Sequence, residues 1–95
     1  GLLITHNLGS IINVTRAGEN LSVSQGVTIG AGKANPDGRN TPIIGDNVKV
    51  LTNAVVFGGI DIGDNVTIGA GTVLFTSIPD NCTVVGNPGR IIKRN

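Results

Sequence analysis

The stretch IGDNVKVLTNAVVFGGIDIGDNVTIGAGTVLFTSIP, residues 44–79, divides into six consecutive segments of six residues. Each segment begins with an aliphatic residue, and its fifth position is small or β-branched. Between these positions lie many Gly, Asp and Asn residues, which tolerate the backbone of a tight corner. An amphipathic helix would space apolar residues by three or four, and a half-buried strand by two, so neither fits. The period indicates a repeated unit of one short strand and one corner.

This repeat predicts an all-β fold, a parallel β-helix. Three six-residue faces make one coil, coils stack at about 4.8 Å, and the first-position side chains fill a narrow interior. The same phase extends upstream, with Thr15, Leu21 and Val27 at the fifth position. We therefore expect three interior columns, formed by Ile11, Ile29, Val56 and Leu74, by Ala17, Ile44 and Ile62, and by Val23, Val50 and Ile68.

One interruption of the period predicts an extruded loop. Ile29 and Ile44 are fifteen residues apart instead of six, which corresponds to one rung plus a nine-residue insertion at about residues 31–43. The whole chain, residues 1–95, is long enough for one small domain, with a C-terminal tail at about 80–95. Because the sequence starts inside a repeat, we expect that an N-terminal part is missing.

Composition excludes several classes of function. The net charge is +1, which gives no electrostatic reason to expect nucleic acid as a partner. No stretch approaches the roughly 18 apolar residues of a membrane span. Cys82 is the single cysteine, so neither an internal disulfide nor a cysteine-based zinc cluster can form within one chain, and a reducing cytoplasm is the expected location.

The repeats resemble those of hexapeptide-repeat acyltransferases, whose fold is a left-handed parallel β-helix. Within that superfamily, SVSQGVTIGAGK (22–33), the inserted loop, IGAGTV (68–73) and VVGNPGRII (84–92) resemble serine O-acetyltransferases and related sugar and polysaccharide O-acetyltransferases. The resemblance implies transfer of acetyl from acetyl-CoA to a hydroxyl of a small acceptor, serine or a sugar, without a metal. It also implies a homotrimer with active sites between subunits.

By the same resemblance, His6 in ITHNLGSIIN is the catalytic general base. Imidazole, with a pKa near 7, suits removal of a proton from an attacking hydroxyl. The family's base is oriented by an upstream Asp, which lies before Gly1 or is absent here. A purely structural histidine is the alternative.

Thr5, Arg39 and Asn40 are the expected acceptor-binding residues. Arg39 matches a family arginine that holds an amino-acid carboxylate, and its alternative is a solvated loop residue. Asn40 or Thr41 stands where the family has a histidine, and Thr5 replaces an aspartate that helps to bind serine. These replacements make a sugar a close competitor to serine as acceptor.

The acetyl-CoA contacts implied by the resemblance are mostly backbone groups at corners, where small residues let an extended ligand approach closely. The alternative is that the glycines only permit the corners. Basic residues after the GNP turn suit the phosphates of CoA, although an ordinary basic tail would look the same. The expected cofactor-binding residues are Gly30, Gly32, Thr52, Gly69, Ala70, Arg90 and Lys93.

Two competing functions use the same fold. A γ-class carbonic anhydrase needs three histidine ligands for zinc, drawn from two subunits, and one histidine per chain cannot supply them. A non-catalytic β-helix, serving as a structural or interaction module or left as an inactive fragment, would need no base. It would leave the inserted loop unexplained, since long loops in compact domains tend to be functional.

Overall fold

A computed structural model describes residues 2–4 and 11–94, and all regular elements in this part are β-strands. The strands contain two to five residues and are separated by corners, as the six-residue period predicts. Their bounds are β1 Leu2–Ile4, β2 Ile11–Ile12, β3 Arg16–Ala17, β4 Leu21–Val23, β5 Thr28–Gly30, β6 Ile43–Ile44, β7 Lys49–Val50, β8 Val55–Phe57, β9 Asp61–Ile62, β10 Thr67–Ile68, β11 Val73–Leu74, β12 Cys82–Val85 and β13 Arg90–Arg94.

Three sheets enclose one interior. Sheet A has the order β1-β4-β7-β10-β12-β13, sheet B β11-β8-β5-β2, and sheet C β3-β6-β9. Up to β12, the chain visits the three sides in turn, and the strands pair in parallel with those of the neighbouring coil. This arrangement confirms the prediction of an all-β parallel β-helix.

Two of the three predicted interior columns are confirmed. Ala17, Ile44 and Ile62 pair in register across sheet C. Val23, Val50 and Ile68 do so in sheet A, and Val84 extends that column. All of these except Ala17 are buried, so the core is a set of stacked aliphatic side chains.

The third column is confirmed except at its first member, because Ile12 and not Ile11 pairs with Ile29. Ile11 is 65% exposed, whereas Ile12 packs against the core. Ile12 and Ala17 are five residues apart, so extrapolation by sixes fails in this segment. For the same reason the fifth-position expectation for Thr15 is wrong: Thr15 is exposed, and Val14 packs against the core instead.

A carboxylate ladder follows the corner between sheets C and A. It is formed by Asp46, Asp64 and Asp80, each of which accepts a hydrogen bond through Oδ1 from a main-chain N–H of the preceding coil, at 2.8, 2.7 and 2.7 Å. A Cβ on the glycine of the preceding coil would overlap the carboxylate oxygen, which is the case at Gly18, Gly45 and Gly63. The absence of a side chain is therefore needed at these positions.

The residue after each acidic position has a left-handed backbone, with φ between 57° and 62°. Asn tolerates this conformation better than most residues because its short amide forms local hydrogen bonds. The amides also contact one another along the corner, as between Asn65 Nδ2 and Asn81 Oδ1 at 3.1 Å. The asparagines at this corner are Asn20, Asn47, Asn65 and Asn81.

At the C-terminal end, the chain leaves the repeat and forms a hairpin. β12 and β13 pair antiparallel, joined by the turn of residues 86–89. Gly89 donates its N–H to the carbonyl oxygen of Val73 at 2.7 Å. A Cβ on Gly89 would lie 3.2 Å from Leu74 Cδ1 and 3.1 Å from Val84 Cγ1, so this glycine packs directly on the last interior side chains.

Candidate functional site

The extruded loop, residues 31–42 between β5 and β6, is organised around Asn35. Its Oδ1 accepts hydrogen bonds from the main-chain N–H groups of Asp37 at 2.9 Å and Arg39 at 3.1 Å. Its own N–H donates to the carbonyl oxygen of Arg39 at 2.8 Å. Gly38 supplies a φ of 85° at the tip, a conformation that L-residues avoid. NPDG (35–38) therefore forms a closed turn, and the part of the loop before Arg39 has its own internal support.

Arg39 joins this loop to the coil beneath it. Its Nε donates to the Thr41 carbonyl oxygen at 3.1 Å, and its Nη2 donates to the Ile60 carbonyl oxygen at 3.1 Å. Nη2 also forms an ion pair with Asp61 Oδ1 at 2.6 Å. The Arg39 side chain is 21% exposed and that of Asp61 is 70% exposed. The guanidinium is thus held in one orientation by three acceptors.

The foot of the loop, where residues 32 and 33 meet residue 40, lies against the next coil without intervening side chains. Gly32 donates its N–H to the Asn40 carbonyl oxygen at 2.9 Å, and Gly59 donates to the Lys33 carbonyl oxygen at 3.0 Å. A Cβ on Gly59 would overlap the Arg39 carbonyl oxygen, and one on Gly32 would lie 2.7 Å from the Phe57 ring. These contacts give Gly32 a structural requirement besides its predicted role at the cofactor.

The loop also contacts the coil that precedes it. Thr15 Oγ1 and Thr41 Oγ1 are 2.5 Å apart and share a hydrogen bond. Thr15 donates its N–H to the Pro42 carbonyl oxygen at 2.8 Å. Asn40, which is exposed, precedes Thr41 in the sequence. The two consecutive residues predicted to bind the acceptor, Arg39 and Asn40, thus lie on a loop that is held to the coils on both sides.

The predicted cofactor residues fall into three groups: Thr52, Gly69 and Ala70 at one corner, Gly30 and Gly32 at the end of β5 and the start of the loop, and Arg90 and Lys93 on β13. Thr52, Gly69 and Ala70 lie at the corner between sheets A and B, on neighbouring coils, since Gly71 donates its N–H to the Thr52 carbonyl oxygen at 2.9 Å. Gly30 ends β5, and a Cβ there would meet nothing within 4 Å. At Gly69, by contrast, a Cβ would lie 2.9 Å from Val85 Cγ1. Open space for an added group is thus found at Gly30 and not at Gly69.

Sheet B carries an apolar outer face between its corner with sheet A and its corner with sheet C. Phe57 and Phe75 stack there with ring centroids 5.4 Å apart, and Phe75 is 46% exposed. β2, β5, β8 and β11 contain no charged residue. The other two sheets do present charges outward, at Arg16, Lys49 and Asp61.

Arg90 and Lys93 lie on β13, both exposed. Arg90 also lines a surface depression of about 340 Å³ together with the turn residues 86–89. In residues 2–4 and 11–94, no cluster of His, Cys, Asp and Glu is arranged to hold a metal ion. Over the same residues, no helix is long and apolar enough to cross a membrane.

His6 and Thr5, the predicted base and its neighbour, lie outside the described residues. Asn35 and Asp61 are not among the residues that the sequence predicts for this site. The NPDG turn signal could have identified Asn35. Asp61 is 22 residues from Arg39 and offers no local signal.

Comparison with known proteins identifies the repeat. Residues 41–76 match the family model described as bacterial transferase hexapeptide (six repeats). The chain is 44% identical over 96 residues to a serine acetyltransferase of Synechococcus elongatus and 45% identical over 95 residues to one of Staphylococcus xylosus. These alignments cover 100% and 99% of this chain. The chain belongs to the hexapeptide-repeat acyltransferase superfamily.

Solved structures of members of this superfamily agree with the fold. A serine acetyltransferase of Neisseria gonorrhoeae superposes with a TM-score of 0.86 at 38% identity, over 97% of this chain and 35% of that one. The same enzyme in complex with serine gives 0.84 at 36% identity, over 96% and 37%. A serine acetyltransferase in complex with CoA gives 0.82 at 30%, over 95% and 36%. The predicted left-handed β-helix is thereby confirmed.

The matched hexapeptide-repeat proteins are longer than this chain, which spans 39% of the Synechococcus enzyme and 44% of the Staphylococcus enzyme. The shared part contains the coils and the loop.

Proposed function

We propose that the protein transfers the acetyl group of acetyl-CoA to a hydroxyl of a small acceptor, serine or a sugar, with His6 as the general base. The observation that carries this proposal is the superposition on a serine acetyltransferase in complex with CoA, over 95% of this chain at 30% identity. Identities of 44% and 45% to serine acetyltransferases over almost the whole chain support it independently.

The reaction needs a proton acceptor beside the acceptor hydroxyl. The neutral imidazole of His6 removes the hydroxyl proton while the oxygen attacks the thioester carbonyl. A main-chain N–H near a glycine-rich corner stabilises the oxyanion. The carbon–sulfur bond then breaks, and the imidazolium returns its proton to the departing sulfur of CoA. Each proton and electron pair is accounted for without a metal.

The two corners that flank sheet B, together with β13 of sheet A, form the proposed acetyl-CoA site. Gly30 leaves space for an extended ligand to approach the main chain, and Thr52 and Ala70 are exposed at the opposite corner. Arg90 and Lys93 are exposed cations that suit phosphate groups. The residues proposed to contact acetyl-CoA are Gly30, Gly32, Thr52, Gly69, Ala70, Arg90 and Lys93, and those proposed at the acceptor are Thr5, Arg39 and Asn40.

A homotrimer is part of this proposal. The uncharged outer face of sheet B, with Phe57 and Phe75, suits burial against another copy because no charge there would lose its hydration. Light scattering of the full-length protein measures the oligomer. Phe75→Ser should weaken association, and a fully active monomer would contradict this part of the proposal. The cytoplasmic location expected from the cysteine content stays a prediction.

The activity is tested by incubating the full-length protein with acetyl-CoA and a panel of serine, amino sugars and neutral sugars, and following release of the CoA thiol. Loss of a general base should lower kcat by about 10²–10⁴ in His6→Ala, with CoA affinity unchanged. Lys49→Ala, an exposed change on sheet A, is the control that keeps both values.

Equal thiol release by wild type and His6→Ala would contradict the role of His6. A folded protein that binds no CoA would favour the second candidate, a non-catalytic β-helix. The extruded loop argues against a non-catalytic β-helix. The hydrogen bonds of Asn35 and the ion pair of Arg39 fix the conformation of the loop, and none of them pairs one coil's strands with another's.

A further inference from the structure

We propose that the acceptor is a neutral hydroxyl compound of the sugar class and carries no carboxylate, because Asp61 already neutralises the one guanidinium that the loop holds in place. This inference rests on the proposed acetyltransferase function and narrows its acceptor. Asp61 is a positioning residue in this scheme, since it acts on the acceptor site through Arg39.

The hydrogen bonds that Arg39 already makes leave few free N–H groups to bind an acceptor carboxylate. A guanidinium grips a carboxylate best through two parallel N–H groups on one edge. The edge formed by Nε and Nη2 is occupied by the carbonyl oxygens of Thr41 and Ile60 and by Asp61 Oδ1. A second carboxylate at the remaining Nη1 would approach the carboxylate of Asp61 and be repelled by it.

The surrounding charges also cancel. The loop contains Lys33, Asp37 and Arg39, and the coil beneath contributes Asp61, so two cations face two anions. Asp37 is exposed at the tip, where it would repel an anionic acceptor. Lys33 is exposed at the foot, and in the described part of the chain no carboxylate or hydrogen-bond acceptor orients its ammonium group. The loop as a whole therefore provides no positive field for an anion.

The loop and the adjacent coil instead present uncharged polar groups to an acceptor. The Asn40 side chain is exposed, and an amide supplies two donors and an acceptor. The hydroxyls of Thr15 and Thr41 share one hydrogen bond at 2.5 Å, so at most one O–H of the pair is free to donate, while both oxygens keep acceptor capacity. Such groups complement the hydroxyls of a sugar, which also both donate and accept.

The test uses two acceptors that differ only in the carboxylate, L-serine and L-serinamide, together with methyl glucoside as a neutral sugar. Transfer from acetyl-CoA by the full-length protein is measured as kcat/KM for each. We expect the wild type to favour serinamide over serine by about tenfold, because the carboxylate would be desolvated without a free partner. We expect methyl glucoside to be acetylated as well.

Asp61→Asn tests the mechanism of this selectivity. The amide oxygen can still accept from Nη2, but the neutralising charge is gone, so the serine/serinamide ratio should shift toward serine by about fivefold, the size of a partly exposed charge pair. Asp64→Asn changes the same charge at the carboxylate ladder of the same coil and should leave the ratio unchanged. A merely structural role of Asp61 would lower both values together without moving the ratio.

A wild-type preference for serine over serinamide would overturn the inference while upholding acetyl transfer. An unchanged ratio in Asp61→Asn would overturn the assignment of selectivity to the Arg39–Asp61 pair. If no acceptor is acetylated although acetyl-CoA is bound, the proposed function itself fails, and this inference fails with it.

Discussion

Replacing Gly45 by Ala tests whether the carboxylate ladder requires glycine at this corner. A Cβ on Gly45 would overlap Asp64 Oδ1 and would lie 2.8 Å from the carbonyl carbon and oxygen of Gly63. Nothing else at this position disfavours Ala, since Gly45 is not among the glycines with positive φ. The expected effect therefore comes from contact between neighbouring coils.

The magnitude follows from the hydrogen bond that must be given up. Asp64 Oδ1 accepts from the Asp46 N–H at 2.7 Å, and a bond to a charged acceptor contributes about 1.5–3 kcal/mol. The lower unfolded-state entropy of Ala offsets about 0.4–1 kcal/mol of this loss. We expect Gly45→Ala to lower the free energy of unfolding by about 0.5–2.6 kcal/mol before any movement of the Gly63 backbone. For a domain of this size the melting temperature should fall by roughly 10 °C.

Thermal and urea unfolding followed by circular dichroism measure this change in the full-length protein. Gly30→Ala is the matched control, because a Cβ there would meet nothing within 4 Å and Gly30 also lacks a positive φ. In an Asp64→Ala background, Gly45→Ala should cost less, because the overlapping oxygen is gone. The reasoning is refuted if Gly45→Ala and Gly30→Ala have equal stability, or if the cost is the same with and without the Asp64 carboxylate.

Three further changes test the other features of the fold. Ile68→Ala removes a fully buried side chain and should cost about 2–5 kcal/mol in urea unfolding, whereas Ile92→Ala, at 58% exposure, should cost less than about 0.5 kcal/mol. At Asn65, where φ is 57°, Ala should be less stable than Gly by about 1 kcal/mol in the same assay, and equal stabilities would argue against backbone strain. Deleting residues 33–39 should keep the β-sheet circular dichroism spectrum and CoA binding, because the Gly32 N–H and the Asn40 carbonyl oxygen that would flank the deletion are already 2.9 Å apart. The same deletion should lower acetyl transfer at least about tenfold, because Arg39 is lost and the acceptor is no longer positioned. Loss of the fold would show that the loop is structural.

The coil interior could be predicted because its cause is local and repeated. An aliphatic residue every sixth position meets the same column in each coil, and Val50 and Ile68 lie where counting places them. Counting fails at Ile11 because one segment is a residue short, and Ile11 and Ile12 are both isoleucine, so side-chain type gives no signal for the correct register.

The site was less predictable because its contacts join distant parts of the chain. The resemblance pointed to Arg39 and Asn40, and the structure places both on the loop surface. It did not indicate that Arg39 pairs with Asp61, because that contact depends on how the loop folds back onto β9. Loop conformation is set by Asn35, whose role is visible only as an Asn before Pro-Asp-Gly.

Polar side chains that could contact a ligand occur where the chain departs from the six-residue period. Inside the coils the backbone groups are paired between turns and the side chains are aliphatic, so a regular coil offers a ligand little beyond its corners. The nine-residue insertion brings out Arg39, and the shortened segment after Ile12 turns Thr15 outward to meet Thr41. Two irregularities in successive coils thus lie against each other and build one polar surface. On the proposed function, acceptor choice would depend on this surface, whereas the fold depends on the stacked aliphatic side chains of the coils.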